Sequence, residues 1–236
     1  PTPGTDRPTC QNVNLTNNRF TTESNIEDQI GYMYKTNAEN DTDSAIKNAV
    51  DDWFKKNLTN EEDSNKKDYR KYLEDAVWCN DRSIIRTEGD TVYYGAYDRI
   101  KNKFVNQSPL VKDEEVCPQK SDRFTVKDIE KGNGVLDYPV ALLTLDETIL
   151  GGLIQAGNIG SSSYLVSNTY YWLLSPASLY RGGFVRVFYI YGGVFSDNHM
   201  VDENYGVRPS IVLTKEVTFS DGNGEPETPY VVDTSS

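Results

Sequence analysis

Helical periodicity is concentrated in the first half of this 236-residue chain. The apolar side chains at three- and four-residue spacing are Ile46, Val50, Trp53, Phe54 and Leu58. They predict one amphipathic helix that faces a core, with Asp43 or Ser44 placed to cap its start. The last third carries aromatic and β-branched runs between Gly, Ser and Asn turns, which predict strands. These predicted strands are Tyr170–Leu174, Phe184–Tyr191 and Val207–Leu213. Helices followed by an antiparallel sheet are the order of an α+β fold.

The segments between these regions predict shorter elements. A second helical face runs from Tyr69 to Val77, and a strand is expected over Thr91–Tyr97. The apolar run Tyr138–Leu143 is typical of a buried strand. It leads into a capping box at Thr144 and Glu147, which predicts a helix from Leu145 to about Leu150. The other predicted segments are a loop over Lys101–Lys120 and a final edge strand at Tyr230–Val232.

The chain length favours one domain. Residues 1–24 are polar and without period, so they are predicted to form a flexible N-terminal stem, followed by one domain over residues 25–236. The formal net charge of −12 opposes binding to nucleic acid and to anionic lipid. The sequence has no apolar run of the roughly 20 residues that cross a bilayer. We therefore expect no nucleic-acid partner and no direct insertion into a membrane.

The three cysteines, Cys10, Cys79 and Cys117, lack the spacing of a metal-binding knuckle. We predict a disulfide between Cys79 and Cys117 that contributes roughly 3 to 4 kcal/mol. Cys10 is then free or joined to a partner outside this sequence. The alternative is a cytosolic protein with three reduced, buried cysteines.

Five motifs together resemble a family of surface proteins from Gram-positive bacteria. These motifs are Ile30–Tyr34, Trp78–Ser83, Tyr138 to Glu147, Tyr171–Pro176 and Tyr205–Ser210. The last two also resemble the closing strands of C-type-lectin-like domains of the formylglycine-generating-enzyme branch. That resemblance implies an α+β, C-type-lectin-like fold with two or three helices beside a twisted antiparallel sheet and long irregular C-terminal insertions.

The same fold is used by the variable proteins of diversity-generating retroelements. The segment Leu179–Asn204 is similar to their variable region in position and composition, and we call it the binding segment. Two departures from the wider family bear on function. The oxidising enzymes of this branch need a late cysteine pair, and the sequence has no cysteine after Cys117. The calcium and sugar motifs of true lectins are also missing.

The residue types favour binding over catalysis. His199 is the only histidine, and side chains as near in sequence as Ser196 and Asp197 seldom converge on it as a triad. An enzymatic alternative requires His199 to meet a carboxylate in a pocket. The glycine-rich turn that begins at Asp221 lacks the bidentate Glu of a calcium loop. We expect no enzymatic activity, no cofactor and no metal.

The binding segment is rich in Tyr, Arg, Asn and Gly, the residue types of protein contact surfaces. The predicted contact residues are Tyr180, Arg181, Arg186, Tyr189, Tyr191, Ser196, Asp197, Asn198, His199, Asp202 and Asn204. Apolar residues between them are expected to attach the segment to the sheet: Phe184, Val187, Phe188, Ile190 and Val201. Arg186 and Tyr189 have opposite strand parity, so a bulge is needed if both face solvent. The alternative is an ordinary edge strand with surface tyrosines.

Two motif residues have structural interpretations. Trp172 is predicted to lie in the core and Arg208 in a structural hydrogen-bond network. The sequence thus predicts an extracellular or cell-surface recognition domain for a protein or cell-surface ligand. The alternative function is a structural subunit or adhesin tip of a bacterial surface assembly.

Overall fold

The computed structural model describes residues 31–36, 39–105, 117–151, 165–166, 169–181, 184–192, 194–197, 200–224 and 228–234. The described chain is an α+β protein, as predicted. Its helices are α1 (Ala45–Leu58), α2 (Gly95–Val105) and α3 (Leu145–Leu150). Its strands are β1 (Met33–Thr36), β2 (Glu39–Asp43), β3 (Trp78–Cys79), β4 (Ile84–Glu88), β5 (Thr91–Tyr94), β6 (Arg123–Phe124), β7 (Tyr171–Tyr180), β8 (Phe184–Tyr191), β9 (Val194–Ser196), β10 (Phe219–Asp221) and β11 (Val231–Val232). None of the described helices is long and apolar enough to span a membrane.

The central feature is a five-stranded antiparallel sheet in the order β4-β5-β7-β8-β9. Short turns join β4 to β5 and β8 to β9. Gly89 and Gly192 lie in these turns with φ of 57° and 58°, a conformation that glycine adopts without strain. Strands β7 and β8 are therefore interior to the sheet, and their side chains can be covered on both faces.

Two apolar clusters cover the two faces of this sheet. The first contains α1 residues such as Ile46 and Phe54 together with Trp172 of β7. The second contains Ala96 and Ile100 of α2 and Leu145 of α3. Helix α1 thus lies on one side of the sheet, and α2 and α3 lie on the other. Trp172 is fully buried, as the sequence predicted.

Buried and mostly buried ion pairs connect the irregular segments to the sheet and helices. The Arg82 guanidinium donates to the Asp122 carboxylate, 2.8 Å from Nε to Oδ1, and both side chains are buried. Arg99 of α2 donates to both oxygens of Asp146 at 2.7 and 2.8 Å, and to Asp81 at 3.1 Å. Helices α2 and α3 are therefore held together by a bidentate pair as well as by apolar contact.

Cys79 and Cys117 form the predicted disulfide, with their Cα atoms 5.7 Å apart. Cys79 lies in β3, which pairs with Arg123 and Phe124 of β6. The disulfide therefore links the same two segments that the pairing of β3 with β6 already holds together. Cys10 and the predicted stem lie outside the described residues.

Two helix predictions are confirmed with their caps. Helix α1 begins after Ser44, whose side chain accepts a hydrogen bond from the Lys47 amide at 3.1 Å. Helix α3 has the reciprocal capping box of Thr144 and Glu147. In both cases the signal is local, because a cap is satisfied by atoms within three residues of it.

The helix predicted over Tyr69–Val77 is wrong. Only a 3₁₀ turn, Arg70–Tyr72, forms there. Leu73 then bridges to Leu213, and the Glu74 amide donates to the Val212 carbonyl at 2.8 Å. Contacts with distant segments thus replace the local hydrogen bonds that a helix needs.

The strand predicted over Thr91–Tyr97 ends at Tyr94, where α2 begins and extends into the predicted loop Lys101–Lys120. Gly95 lies at this change of direction. A Cβ at Gly95 would lie 1.8 Å from an Asp81 carboxylate oxygen, so the close approach requires glycine. Residues 106–116 of the predicted loop lie outside the described residues.

Two other predicted strands do not form regular strands. Val140, Ala141 and Leu142 are fully buried, yet Tyr138–Leu143 pairs only through a bridge of Ala141 to Ser210 among the described residues. Val207–Leu213 likewise makes isolated bridges to separate partners instead of one ladder. The final strand, β11, pairs with β10 as a small separate hairpin.

Candidate functional site

A row of side chains crosses three adjacent strands of the sheet. Tyr93 of β5 is paired with Ser178 of β7, and Ser178 is paired with Arg186 of β8. Side chains that are directly opposite each other in an antiparallel sheet project from the same face. The register of the sheet therefore places a phenol, a hydroxyl and a guanidinium side by side.

A concave site surrounds this row, and we call it the sheet pocket. Its cavity has a volume of about 190 Å³. It is lined by Thr91, Tyr93, Tyr97, Ser178, Tyr180, Arg186 and Asp197. Thr91 is paired with Tyr180 in the next cross-strand position, Tyr97 comes from α2, and Asp197 follows β9.

One wall of the sheet pocket is aromatic and held in place. The rings of Tyr93 and Tyr97 are 4.6 Å apart between centroids and tilted by 51°. The Arg86 guanidinium lies 4.0 Å from the Tyr93 centroid, and its Nε donates to Asp98 at 3.0 Å. Because Arg86 is fixed by Asp98 and by Glu88, the tyrosine wall is ordered before any ligand arrives.

Arg186 is the cationic group of the sheet pocket. Its side chain is half-buried. Within the part of the chain that the structure describes, no acceptor forms a hydrogen bond or ion pair with its guanidinium. A guanidinium has five donors in a planar fork that matches an oxyanion. Arg186 therefore offers a binding group that the fold itself does not use.

Three of the predicted contact residues meet in the sheet pocket, namely Tyr180, Arg186 and Asp197. The others that the structure describes lie elsewhere: Arg181, Tyr191 and Asn204 are exposed, and Ser196 and Asp202 are half-buried. Asn198 and His199 lie outside the described residues. The predicted face is therefore divided between one pocket and scattered surface positions.

The prediction that Tyr189 is a contact residue is wrong, because its side chain is only 3% exposed. It lies in the first apolar cluster, edge-to-face with Trp172 at 6.2 Å between centroids. Burial raises the pKa of its hydroxyl, against a hydrogen bond with Ser196 that lowers it. No bulge turns both Arg186 and Tyr189 to solvent, because β8 is covered on both faces.

The residues predicted to attach the binding segment are buried as expected. Val187, Phe188, Ile190 and Val201 are each at most 3% exposed. Nothing is described for the Phe184 side chain. Arg208 is half-buried, with its guanidinium 4.1 Å from the Tyr171 centroid and donating to the Leu165 carbonyl at 3.0 Å. This is the structural role predicted for Arg208.

Sequence reasoning missed Thr91, Tyr93, Tyr97 and Ser178 as lining residues of the pocket. The sequence predicts Tyr93 and Tyr97 on one strand, whereas Tyr93 is in β5 and Tyr97 is in α2. Ser178 lies within β7, beyond the predicted end of that strand. These residues meet because β5 pairs with β7, and the paired residues are more than 80 positions apart in the sequence. The periodicity of one segment contains no information about such a distant partner.

A second polar cluster lies on the other side of the sheet, around Lys47 of α1. Its ammonium, fully buried, contacts Asp51, Asp137 and Asp43 at 2.6, 3.0 and 3.1 Å. The three carboxylates lie within 4.8 Å of one another, a spacing that could hold a metal ion. The Lys47 ammonium fills that position, so the cluster is an ion-pair network that runs from the buried Lys47 to the exposed Asp137.

Comparison of the chain with protein-family models, with curated proteins and with solved structures finds no match.

Proposed function

We propose that this chain is a non-enzymatic recognition domain that binds a small polar ligand in the sheet pocket. The observation that carries the proposal is the half-buried Arg186 guanidinium, which lines a cavity and is paired with no described residue. Burying part of a charge costs free energy unless a partner compensates for it. A ligand that supplies an acceptor recovers that cost.

The surroundings of Arg186 support binding. The sheet pocket combines tyrosine rings, two aliphatic hydroxyls and the Asp197 carboxylate, a lining that is typical of sites with few, well-placed polar groups. These groups come mainly from sheet strands and from α2, which are rigid supports. A preformed site loses little conformational entropy when the ligand binds.

The C-type-lectin-like fold and the display at a cell surface are part of this proposal. Helices on both faces of an antiparallel sheet, followed by a long irregular stretch after β9, are compatible with that fold. The Cys79–Cys117 disulfide favours an oxidising location. Three pocket residues belong to the binding segment, so retroelement-driven variation at these positions would change which ligand the pocket binds. Genes for related chains should then differ at Tyr180, Arg186 and Asp197.

The alternative, a structural subunit or adhesin tip, is favoured by a different surface. Ile84 and Ile85 of the edge strand β4 are 63% and 42% exposed. In the part of the chain that the structure describes, β4 is the edge of its sheet, and exposed apolar side chains on a strand edge are a common site of association. If that surface makes a fixed subunit contact, Ile84→Lys should abolish a self-association that Arg186 variants leave unchanged, as measured by sedimentation.

The recognition proposal predicts that Arg186→Gln weakens ligand binding while the fold is kept. A library of amino acids, sugars, nucleotides and organic acids is screened against the wild-type protein by thermal shift and then by calorimetry. Loss of a charge-assisted hydrogen bond is worth about 1.5–3 kcal/mol, so affinity should fall by roughly ten- to a hundredfold.

Arg181→Gln is the matched control, because it removes the same charge from an exposed position outside the sheet pocket. It should leave the affinity within about twofold, since Arg181 does not line the sheet pocket. Equal losses in both variants, or no binding by any library compound, would contradict the proposal.

A further inference from the structure

We propose that the ligand of the sheet pocket is a small monocarboxylate with an apolar body, either an aromatic or a branched-chain acid. This inference rests on the proposed recognition function and deepens it by naming the ligand class. It starts from the hydrogen-bond donors of the cavity that the fold leaves unused. Those donors are the Arg186 guanidinium and the hydroxyls of Ser178 and Thr91.

These three side chains form one group of donors. Ser178 is paired with Arg186 on β8 and with Tyr93 on β5, and Thr91 lies two residues before Tyr93. Residues two apart on a strand project from the same face, as do directly paired residues, so the three side chains share one face of the sheet. Within the described part of the chain, none of the three forms a side-chain hydrogen bond or an ion pair.

A carboxylate matches this group of donors in shape. Its two oxygens lie in one plane and accept two parallel hydrogen bonds from a guanidinium fork. Each oxygen has a further lone pair that can accept from the hydroxyls of Ser178 and Thr91. A neutral amide replaces one of these oxygens by an NH₂ group, which cannot accept from the fork.

Charge balance favours a single negative charge on the ligand. Of the described residues that line the cavity, Arg186 alone is cationic. Asp197 is acidic but already interacts within the protein, so we assign it no contact with the ligand. One carboxylate compensates the charge of Arg186, whereas a phosphate dianion adds a second negative charge to a chain whose formal net charge is −12. A neutral sugar leaves the charge of Arg186 uncompensated.

The apolar body of the ligand fits the tyrosine wall of the sheet pocket. The Tyr93 and Tyr97 rings line the cavity with their centroids 4.6 Å apart. Tyr97 also packs on Phe188 of the second apolar cluster, with 6.1 Å between the ring centroids. This side of the cavity is therefore continuous with the apolar core and offers ring surface to an aromatic or aliphatic group.

The size of the cavity limits that apolar body. A volume of about 190 Å³ equals roughly six water molecules at about 30 Å³ each. That space accommodates a carboxylate with one ring or one short branched chain. A long-chain fatty acid or a peptide exceeds the cavity, so the ligand is a small free acid.

Calorimetric affinities of the wild-type protein test the ligand class with matched pairs. The carboxylates are benzoate, 3-phenylpropanoate and 4-methylpentanoate, and each is compared with its primary amide, which has almost the same shape and no charge. At least one carboxylate should bind, and its amide should bind at least about tenfold more weakly, because the charge of Arg186 then has no partner. Acetate, which lacks the apolar body, should also bind at least about tenfold more weakly than the best of the three.

Two variants assign the carboxylate to its donors. Arg186→Gln should weaken the carboxylate at least about tenfold and leave the amide within about threefold, so the preference for the charged ligand disappears. Ser178→Ala should weaken the carboxylate by about three- to tenfold, the loss of one hydrogen bond. Its control is Ser220→Ala, which removes an exposed hydroxyl on β10 outside the cavity and should leave the affinity within about twofold. Melting temperatures verify that each variant folds.

Equal affinities for each carboxylate and its amide, or no binding by any of the three acids, would overturn the carboxylate assignment. Binding of another compound class that depends on Arg186 would overturn the same assignment and leave the recognition function standing. No binding by any class would overturn both.

Discussion

Lys47→Met is expected to lower the free energy of unfolding by about 3–5 kcal/mol, the cost of removing one partner from a buried ion-pair network. The Lys47 ammonium is fully buried and contacts three carboxylates, with Asp51 nearest at 2.6 Å. Methionine fills a similar volume but leaves these negative charges together. Chemical denaturation at neutral pH measures the loss.

The loss of unfolding free energy in Lys47→Met depends on pH, because Lys47 and Asp51 have shifted pKa values in the folded state. Burial lowers the pKa of Lys47, but attraction and hydrogen bonding by Asp51, with help from Asp137, outweigh it and raise this pKa above the ordinary 10.5. Its stabilising contribution is therefore complete at neutral pH and is lost only in strong alkali, as pH rises through the folded-state pKa.

Burial shifts the pKa of Asp51 in the opposite direction to that of Lys47. Burial raises its pKa from 3.8 to about 6, although Lys47 pulls that pKa down. The folded state therefore binds a proton more tightly than the unfolded state, and stability falls as pH rises from about 4 to 6. Without Lys47 the pKa of Asp51 rises further. The Lys47→Met deficit should accordingly be smaller at pH 4.5 than at pH 7.

Lys56→Met is the control, because it removes the same charge from an exposed position on α1. It should change stability by no more than about 0.5 kcal/mol. Adding Asp51→Asn to Lys47→Met should recover part of the loss, because it removes one uncompensated charge. A Lys47→Met loss equal to that of Lys56→Met would show that the carboxylates do not depend on Lys47.

Removing the Cys79–Cys117 disulfide should lower the free energy of unfolding by about 3–4 kcal/mol. The two residues are 38 positions apart, so the bond closes a long loop and restricts the unfolded chain. The folded chain already brings the segments together through β3 and β6, and the loss therefore arises mainly in the unfolded state. Urea denaturation of Cys79→Ser/Cys117→Ser measures it.

A Cys10→Ser background prevents exchange with the third cysteine in this comparison. The double serine variant should show a lower denaturation midpoint and a larger m value, because its unfolded state is more expanded. A reducing agent should destabilise the Cys10→Ser protein by a similar amount and leave the triple variant unchanged. Equal midpoints for the oxidised protein and the serine variant would contradict the assigned contribution.

Local elements were predictable from sequence because their hydrogen bonds close within a few residues. The periodic face of α1, its Ser44 cap and the Thr144–Glu147 capping box are of this kind. The β8 strand was also predicted with its observed bounds, since its run of β-branched and aromatic residues has no competing period. The α+β class followed from the order of these elements.

Tertiary structure decided which side chains meet. Tyr93, Ser178 and Arg186 form one row only because β5, β7 and β8 pair in one register. Tyr189 belongs to the core because α1 and its neighbours cover that face of β8. Lys47 reaches Asp137, 90 residues away. Such contacts depend on how separate segments pack, and a local pattern carries no information about the partner that covers it.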